Sequence, residues 1–266
     1  MRLRLLLTPP LPGALNMALD DALMARARRT GEVHLRSYAW ERPTLSLGRH
    51  QKAAGLYDRV RLAERGIDVV RRPTGGRAIL HWREVTYSVT APIGVLAPPD
   101  APLAAALGRI NRVLVAALRA LGVPAREATP AGRAPIPDGA PCFEVPTGGE
   151  LVLDRPDGPR KLVGSAQWRD DGALLQHGSI LLADDQSTVA TLATRPLPPI
   201  PPPASLGEAL GRVPSLDEVA AALEGAARAL LASDASRLDG EALAEVGRDA
   251  EARAPHYADP GWTWRR

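Results

Sequence analysis

Three short apolar runs separated by two aspartate–glycine pairs limit what this chain can fold into. Leu151 to Leu153, Lys161 to Trp168 and Leu174 to Leu182 have strand length, with Asp157-Gly158 and Asp171-Gly172 between them. Such pairs accommodate the tight turns of antiparallel hairpins, so the stretch reads as a meander. Whatever else the chain contains must pack against that antiparallel sheet.

The remaining pattern alternates helices and short strands without regular strand–helix repetition. Leu15, Ala18, Leu19, Ala22 and Leu23 recur at helical spacing, which predicts a helix from about Leu15 to Arg29, closed near Gly31, with Asp20 and Asp21 on its other side. Val33 to Trp40, Thr44 to Leu47, Ile67 to Arg72 and Thr86 to Thr90 read as strands, and Leu56 to Arg65 as a helix. Gly75-Gly76 is expected to turn Ile67–Arg72 back as a hairpin into Arg77–His81. A helix whose apolar face carries Leu103, Leu107, Ile110, Leu114, Leu118 and Leu121 ends at Gly122 and Pro124. Ser215 with Glu218 forms a capping box for a helix through Leu231, and a shorter one is expected near Glu241 to Glu251. The predicted class is therefore α+β, with a mixed, largely antiparallel sheet flanked by helices. We expect a single catalytic domain over residues 1–266, with its core at about 14–195, a Pro-rich spacer at 196–214 and a helical extension at 215–266.

Composition excludes several functions. A net charge of +3 across 266 residues, with no basic run, argues against nucleic-acid binding. No stretch is apolar enough to span a bilayer, and Met1 to Leu7 is too short for a signal-peptide core, so the chain reads as cytosolic with no membrane partner. The single cysteine rules out an intrachain disulfide and fits a reducing compartment. Lys52 and Lys161 are the only lysines in an arginine-rich chain, so a lysine kept within a motif carries information.

Three segments could carry chemistry. The first runs from Val70 to His81. Its adjacent Gly75 and Gly76 let the backbone approach a ligand, while Arg71, Arg72 and Arg77 could hold an anionic or carbonyl group. On pattern alone a plain hairpin with solvated arginines explains it equally well, and neither a Walker loop nor a dinucleotide fingerprint is present. In the second, Lys161 stands beside the small residues Gly164, Ser165 and Ala166, and Gln176-His177-Gly178-Ser179 follows on the next strand. A surface lysine and a hydrogen-bonded core histidine remain the plainer readings. The third is Cys142, which follows proline in an irregular segment. A lone cysteine is usually a small buried hydrophobe, whereas a nearby cation would raise its thiolate fraction and make it a nucleophile.

Taken together and in order, RRPTGGRAILH, KLVGSAQ and LQHGSILL resemble the catalytic domain of the lipoate–protein ligase A family, and Asn16-Met17-Ala18-Leu19-Asp20 resembles its N-terminal helix. The resemblance covers roughly residues 14 to 195. It implies the fold shared with biotin ligases and related to class II aminoacyl-tRNA synthetase cores. It casts Arg72, Thr74, Gly75, Gly76, Arg77, His81, Gly164, Ser165, Ala166, His177 and Gly178 as substrate-binding residues.

Within that family the sequence is most similar to the LipM-type octanoyltransferases, because Cys142-Phe143-Glu144 precedes KLVGSAQ and ligases need no nucleophilic cysteine. Trp82 departs from the acidic residue expected there. The resemblance implies transfer of octanoyl from acyl carrier protein, through a thioester on Cys142 activated by Lys161, to a lysine of a lipoyl domain or glycine cleavage H protein. The thioester already holds the transfer potential, so neither ATP nor a cofactor or metal is expected. Ile79, Leu80, Val163 and Ile180 are expected to line an acyl tunnel. At about 0.8 kcal/mol per buried CH₂, an eight-carbon chain would gain roughly 5 kcal/mol there. An ATP-dependent lipoate ligase and an amidotransferase between carrier proteins remain the alternatives.

Overall fold

The computed structural model describes residues 1–129, 149–197 and 201–266. In chain order its elements are β1 (Leu3–Leu7), α1 (Gly13–Thr30), β2 (Val33–Tyr38), β3 (Thr44–Leu47), α2 (Arg59–Glu64), β4 (Asp68–Arg71), β5 (Ile79–His81) and β6 (Glu84–Pro92). Then follow α3 (Leu103–Ala120), β7 (Arg126–Glu127), β8 (Leu151–Leu153), β9 (Arg160–Asp170), β10 (Ala173–Leu181), α4 (Ser187–Thr191) and α5 (Leu206–Leu210). The chain closes with α6 (Leu216–Leu230), β11 (Ser236–Arg237), α7 (Gly240–Ala258) and α8 (Pro260–Thr263).

Among the described residues the larger sheet has the strand order β11-β1-β2-β6-β10-β9-β8-β7. β1 runs parallel to β2 and to β11, and every other junction is antiparallel. This is the mixed, largely antiparallel sheet expected from the sequence. Strand parity sorts its two faces. Leu3, Leu5, Val85, Tyr87, Val89, Leu174 and Ile180 pack with Ile110, Leu114 and Leu118 of α3 and with Val219 and Leu223 of α6. The opposite face turns to α1, where Thr86, Ser88 and His177 replace the apolar residues. α7 packs on the outside of α1 through Val246, Ala250 and Tyr257.

Local sequence explains the helix ends. Gly31 closes α1 at φ 72°, where its N–H reaches the carbonyl of Ala27. The Ser215 hydroxyl accepts from the Glu218 amide, as the capping box predicts. Asp58 caps α2, which is shorter than expected. α7 is longer than expected and carries Pro255 in its last turn.

One expectation fails. β4 and β5 do not form a hairpin: β3 lies between them, parallel to β4 and antiparallel to β5, in a separate small sheet. Gly48, just past β3, comes so close to the Gly75-Gly76 segment that a Cβ there would sit 1.9 Å from the Gly76 carbonyl oxygen. The double glycine is therefore a crossover loop arching over the end of β3. Gly76 needs the left-handed region at φ 94°, whereas Gly75 has open space around it.

On the polar face, His34 is buried and bonds Thr90 Oγ1 through Nδ1 at 2.9 Å, but its Nε2 has no hydrogen-bond partner. Burial pushes its pKa down to about 4, outweighing the pull of Glu32. The unfolded chain therefore binds a proton between pH 6.5 and about 4 that the folded chain refuses. Stability from this group is complete above pH 6.5 and is lost as pH falls through that window. We expect about 2–3 kcal/mol lower unfolding free energy at pH 4.5 than at pH 7, at about 1.4 kcal/mol per unit. Urea titrations should show a clearly shallower dependence in His34→Gln; equal slopes would assign the acid sensitivity elsewhere.

Candidate functional site

A cavity of about 210 Å³ opens on the α1 face of the sheet, walled by α1, by β5 and the loop before it, and by β9 and β10. Its lining includes Met17, Tyr38 and Trp40, then Arg72, Gly76, Arg77, Ile79 and His81, and finally Glu150, Gly164, Ser165, Ala166, His177, Gly178 and Ser179. The segments RRPTGGRAILH, KLVGSAQ and LQHGSILL thus meet at one place.

The β9–β10 wall is built for close approach. Register pairs Gly164 with Ser179, Ser165 with Gly178 and Ala166 with His177. A Cβ on Gly178 would fall 2.4 Å from the Gly164 carbonyl oxygen and 2.8 Å from the Tyr87 ring. Tyr87 and Ser165 hydroxyls meet at 2.7 Å behind that wall, and Gln176 donates to Tyr87.

Beneath the cavity lies a buried polar network centred on Asp20. Its Oδ1 accepts from Arg36 at 2.9 Å and from Ser88 at 2.7 Å; its Oδ2 accepts from Tyr38 at 3.0 Å and meets His177 Nδ1 at 3.1 Å. Burial pushes the Asp20 pKa up, but hydrogen bonding from His177 and the charge of Arg36 outweigh it and leave the carboxylate below its ordinary value. Burial likewise lowers His177. A carboxylate only accepts, so the proton of a neutral His177 sits on Nδ1 and Nε2 accepts from the Thr74 hydroxyl at 2.7 Å. One residue thereby ties the crossover loop to α1. Asn16, one helical turn before Asp20, accepts from Arg36 Nη2 at 2.6 Å and donates to the carbonyls of Leu11 and Ala39. The Asn16–Asp20 motif clamps α1 onto β2.

His81 stacks on Trp40 with ring centroids 4.1 Å apart and bonds Glu84 through Nδ1 at 2.7 Å. Glu84 also accepts from Ser179 and Thr86, and Trp40 donates to Thr86. Arg72 spreads its guanidinium over the carbonyls of Ser46, Gly75 and Arg77, fixing the loop from inside. Lys161 is buried, and its ammonium bonds Glu150 Oε1 at 2.5 Å. Glu150 lines the cavity and Lys161 does not, and a β-bulge between Leu151 and Val152 shifts the register of β8 beside them.

The acyl-tunnel expectation needs correction, and the other expected residues divide between the cavity and its surroundings. Arg71 faces away from the cavity and bonds the main-chain oxygens of Gly48, Gln51 and Thr263, so it braces the C-terminal segment. Of the four acyl-tunnel residues only Ile79 lines the cavity. Leu80 points to a separate core with Leu45 and Leu192, and Val163 and Ile180 face α3. Period-two alternation puts each on the wrong side. Thr74 and Gly75 belong to the loop but not to the lining. Cys142 lies outside the described residues.

Asp20, Glu84, Trp40 and Glu150 were not foreseen. Asp20 looked like the solvent side of an amphipathic helix; the signal that could have exposed it was its i, i+4 spacing from Asn16. Among the described residues no group of His, Cys, Asp and Glu could hold a metal, and no helix is long and apolar enough to cross a membrane.

The chain matches the lipoyl protein ligase A/B catalytic domain over residues 12–227. It is 39% identical to octanoyltransferase LipM of Kyrpidia tusciae over 99% of this chain and 98% of that one. The Symbiobacterium thermophilum octanoyltransferase LipM is 43% identical over 68% of this chain and 66% of its own. Among solved structures, a lipoate-protein ligase A bound with ATP superposes with a TM-score of 0.74 at 22% identity, covering 99% of each chain. A bipartite lipoate protein ligase from Thermoplasma acidophilum gives 0.74 at 22% identity, covering 99% of this chain and 96% of that one. These structures share the fold. The chain belongs to the lipoyl protein ligase A/B catalytic domain family.

Proposed function

We propose that this protein is an octanoyltransferase of lipoate biosynthesis. It would move octanoyl from acyl carrier protein, through a thioester on Cys142, to the lysine of a lipoyl domain or H protein. The observation that carries this reading is the 39% identity to an octanoyltransferase along 99% of the chain.

The chemistry balances without ATP. The Cys142 thiolate attacks the donor carbonyl and the carrier thiol leaves with a proton, giving an enzyme thioester. The neutral amine of the acceptor lysine then attacks that thioester, the amide forms, and the Cys142 sulfur leaves. The amine's displaced proton restores the balance. In this reading the acyl chain occupies the cavity against Met17 and Ile79. The crossover loop at Gly76 and the β9 backbone at Gly164 border the reacting carbonyl, where backbone amides would stabilise an oxyanion. Lys161, held by Glu150, supplies a fixed cation beside the cavity that favours the thiolate. Arg72, Thr74, Gly75 and His177 act by holding the loop, and Arg77, His81, Ser165, Ala166 and Gly178 by shaping the cavity.

The test is one incubation with octanoyl-acyl carrier protein and apo lipoyl domain, without ATP. The acceptor should gain an octanoyl mass, and Cys142→Ala should abolish both acyl-enzyme and product. Acylation by Cys142→Ala at the normal rate would remove the thioester step. Acylation only from free octanoate or lipoate with ATP would identify a ligase.

A further inference from the structure

A patch of positive charge flanks the cavity. Arg49 is anchored beside the crossover loop, its amide donating to the Thr74 carbonyl at 2.8 Å. Its guanidinium lies over the Trp168 ring at 4.9 Å, two residues along β9 from the cavity-lining Ala166. Arg265 donates to the Arg49 carbonyl and stacks on Trp262 at 3.8 Å. The main-chain oxygen of Arg266 accepts from the amides of Ala53 and Ala54, which brings it beside the exposed Lys52. His50 sits among these groups, where burial first and then Arg266, Arg49, Arg265 and Arg71 lower its pKa. Arg265 is lowered by burial and by Arg49 and Arg266.

Among the described residues none of Arg49, Lys52, Arg265 and Arg266 forms a salt bridge with a carboxylate side chain, whereas Arg29, Arg83, Arg126, Arg212 and Arg248 elsewhere on the surface do. Two of the three guanidiniums, those of Arg49 and Arg265, rest on indole faces, which fixes their position at little further ordering cost. Like charges fixed close together are unfavourable to the isolated fold and are relieved by an anionic partner.

We propose that Arg49, Lys52, Arg265 and Arg266 form the docking face for the acidic acyl carrier protein that delivers the donor thioester. The inference rests on the acyl-transfer reading above. Charge complementarity calls for an acidic partner, and position selects the donor. The patch borders Thr74 and Trp168, neither of which lines the cavity, so a partner seated on it reaches in only with a projecting group. A carrier protein presents its thioester on a long flexible arm, whereas an acceptor lysine has only its own four-carbon stem and must bring its protein directly over the opening.

The test compares two donors on the full chain: octanoyl-acyl carrier protein, and the small neutral thioester octanoyl-N-acetylcysteamine. With Lys52→Glu/Arg265→Glu, acyl-enzyme formation from the carrier should fall about ten- to hundredfold at low salt. The rate from the small thioester should stay unchanged. Added salt should slow the wild type with the carrier and close the gap between the proteins. The single exposed variant Lys52→Glu should show a smaller loss in the same direction, which guards against misfolding of the double variant. Equal losses with both donors, an unchanged carrier rate, or a defect confined to transfer onto the lipoyl domain would each overturn the proposal. If neither donor acylates the wild type, the transfer reading fails. Direct binding of unacylated carrier then decides the docking face separately: binding weakened by the variant supports it, and no binding overturns it.

Discussion

Asp20→Ala is expected to cost about 3–5 kcal/mol of unfolding free energy, the largest stability loss of any single substitution considered. The carboxylate is fully buried and serves four side chains at once. Its removal strands the equally buried guanidinium of Arg36, which keeps its charge and its bonds to Asn16 but loses its counter-ion. The Tyr38 hydroxyl and the His177 ring lose an acceptor as well, and each orphaned donor adds to the cost. Urea unfolding at pH 7 measures the effect, and a loss below about 1 kcal/mol would mean that water or a neighbouring oxygen replaces the carboxylate. Adding Arg36→Met should restore part of the loss, because the worst element is the unpaired charge and not the absent bond.

Gly48→Ala should lower acyl transfer at least a hundredfold, whereas Gly75→Ala should leave it almost unchanged. A methyl at position 48 would lie 1.9 Å from the Gly76 carbonyl oxygen and 2.8 Å from its carbon. Both neighbours are main chain, so relief requires the crossover loop to move bodily. Movement would break the Arg72 bonds to Gly75 and Arg77 and pull Thr74 away from His177. A displacement of about 1 Å near reacting groups costs on the order of 10²-fold in rate. A methyl at position 75 meets nothing within 4 Å. Rates with a saturating donor, together with melting curves for both variants, separate loss of the site from loss of the fold. Equal activity in the two would mean the loop is softer than its packing implies.

The elements easiest to read were those whose periodicity coincides with a single buried face. α3 turns one stripe to the sheet, α6 has its capping box, and the β8–β9–β10 meander has two glycine turns, so local pattern and final environment agree. For α1 the periodicity gives the position but not the burial of its polar side. It is sandwiched between the sheet and α7, so its polar residues are buried too, and a buried Asp20 resembles a solvated one until Arg36 appears opposite. The crossover departs from the expected hairpin for a related reason. Glycine pairs mark a sharp change of direction, but only tertiary pairing reveals that β3 occupies the place of the expected partner. The cavity motifs were legible as residue types. Their division into lining, support and opposite face depends on strand parity; reading the strands as continuous apolar runs misplaces Leu80, Val163 and Ile180.

β1 has consequences for how the protein is made. It is flanked by β2 on one side and by β11 on the other, with Arg4 opposite Ser236. During vectorial synthesis the outer edge of β1 has no partner until more than two hundred further residues have left the ribosome. At roughly 5–20 residues per second, that interval is on the order of ten seconds or more. Throughout it an apolar strand, Leu-Arg-Leu-Leu-Leu, offers open amides and carbonyls to any passing chain. Heterologous expression should therefore yield more native protein when translation is slowed less, or chaperones are supplied more, than the modest size of the chain would suggest.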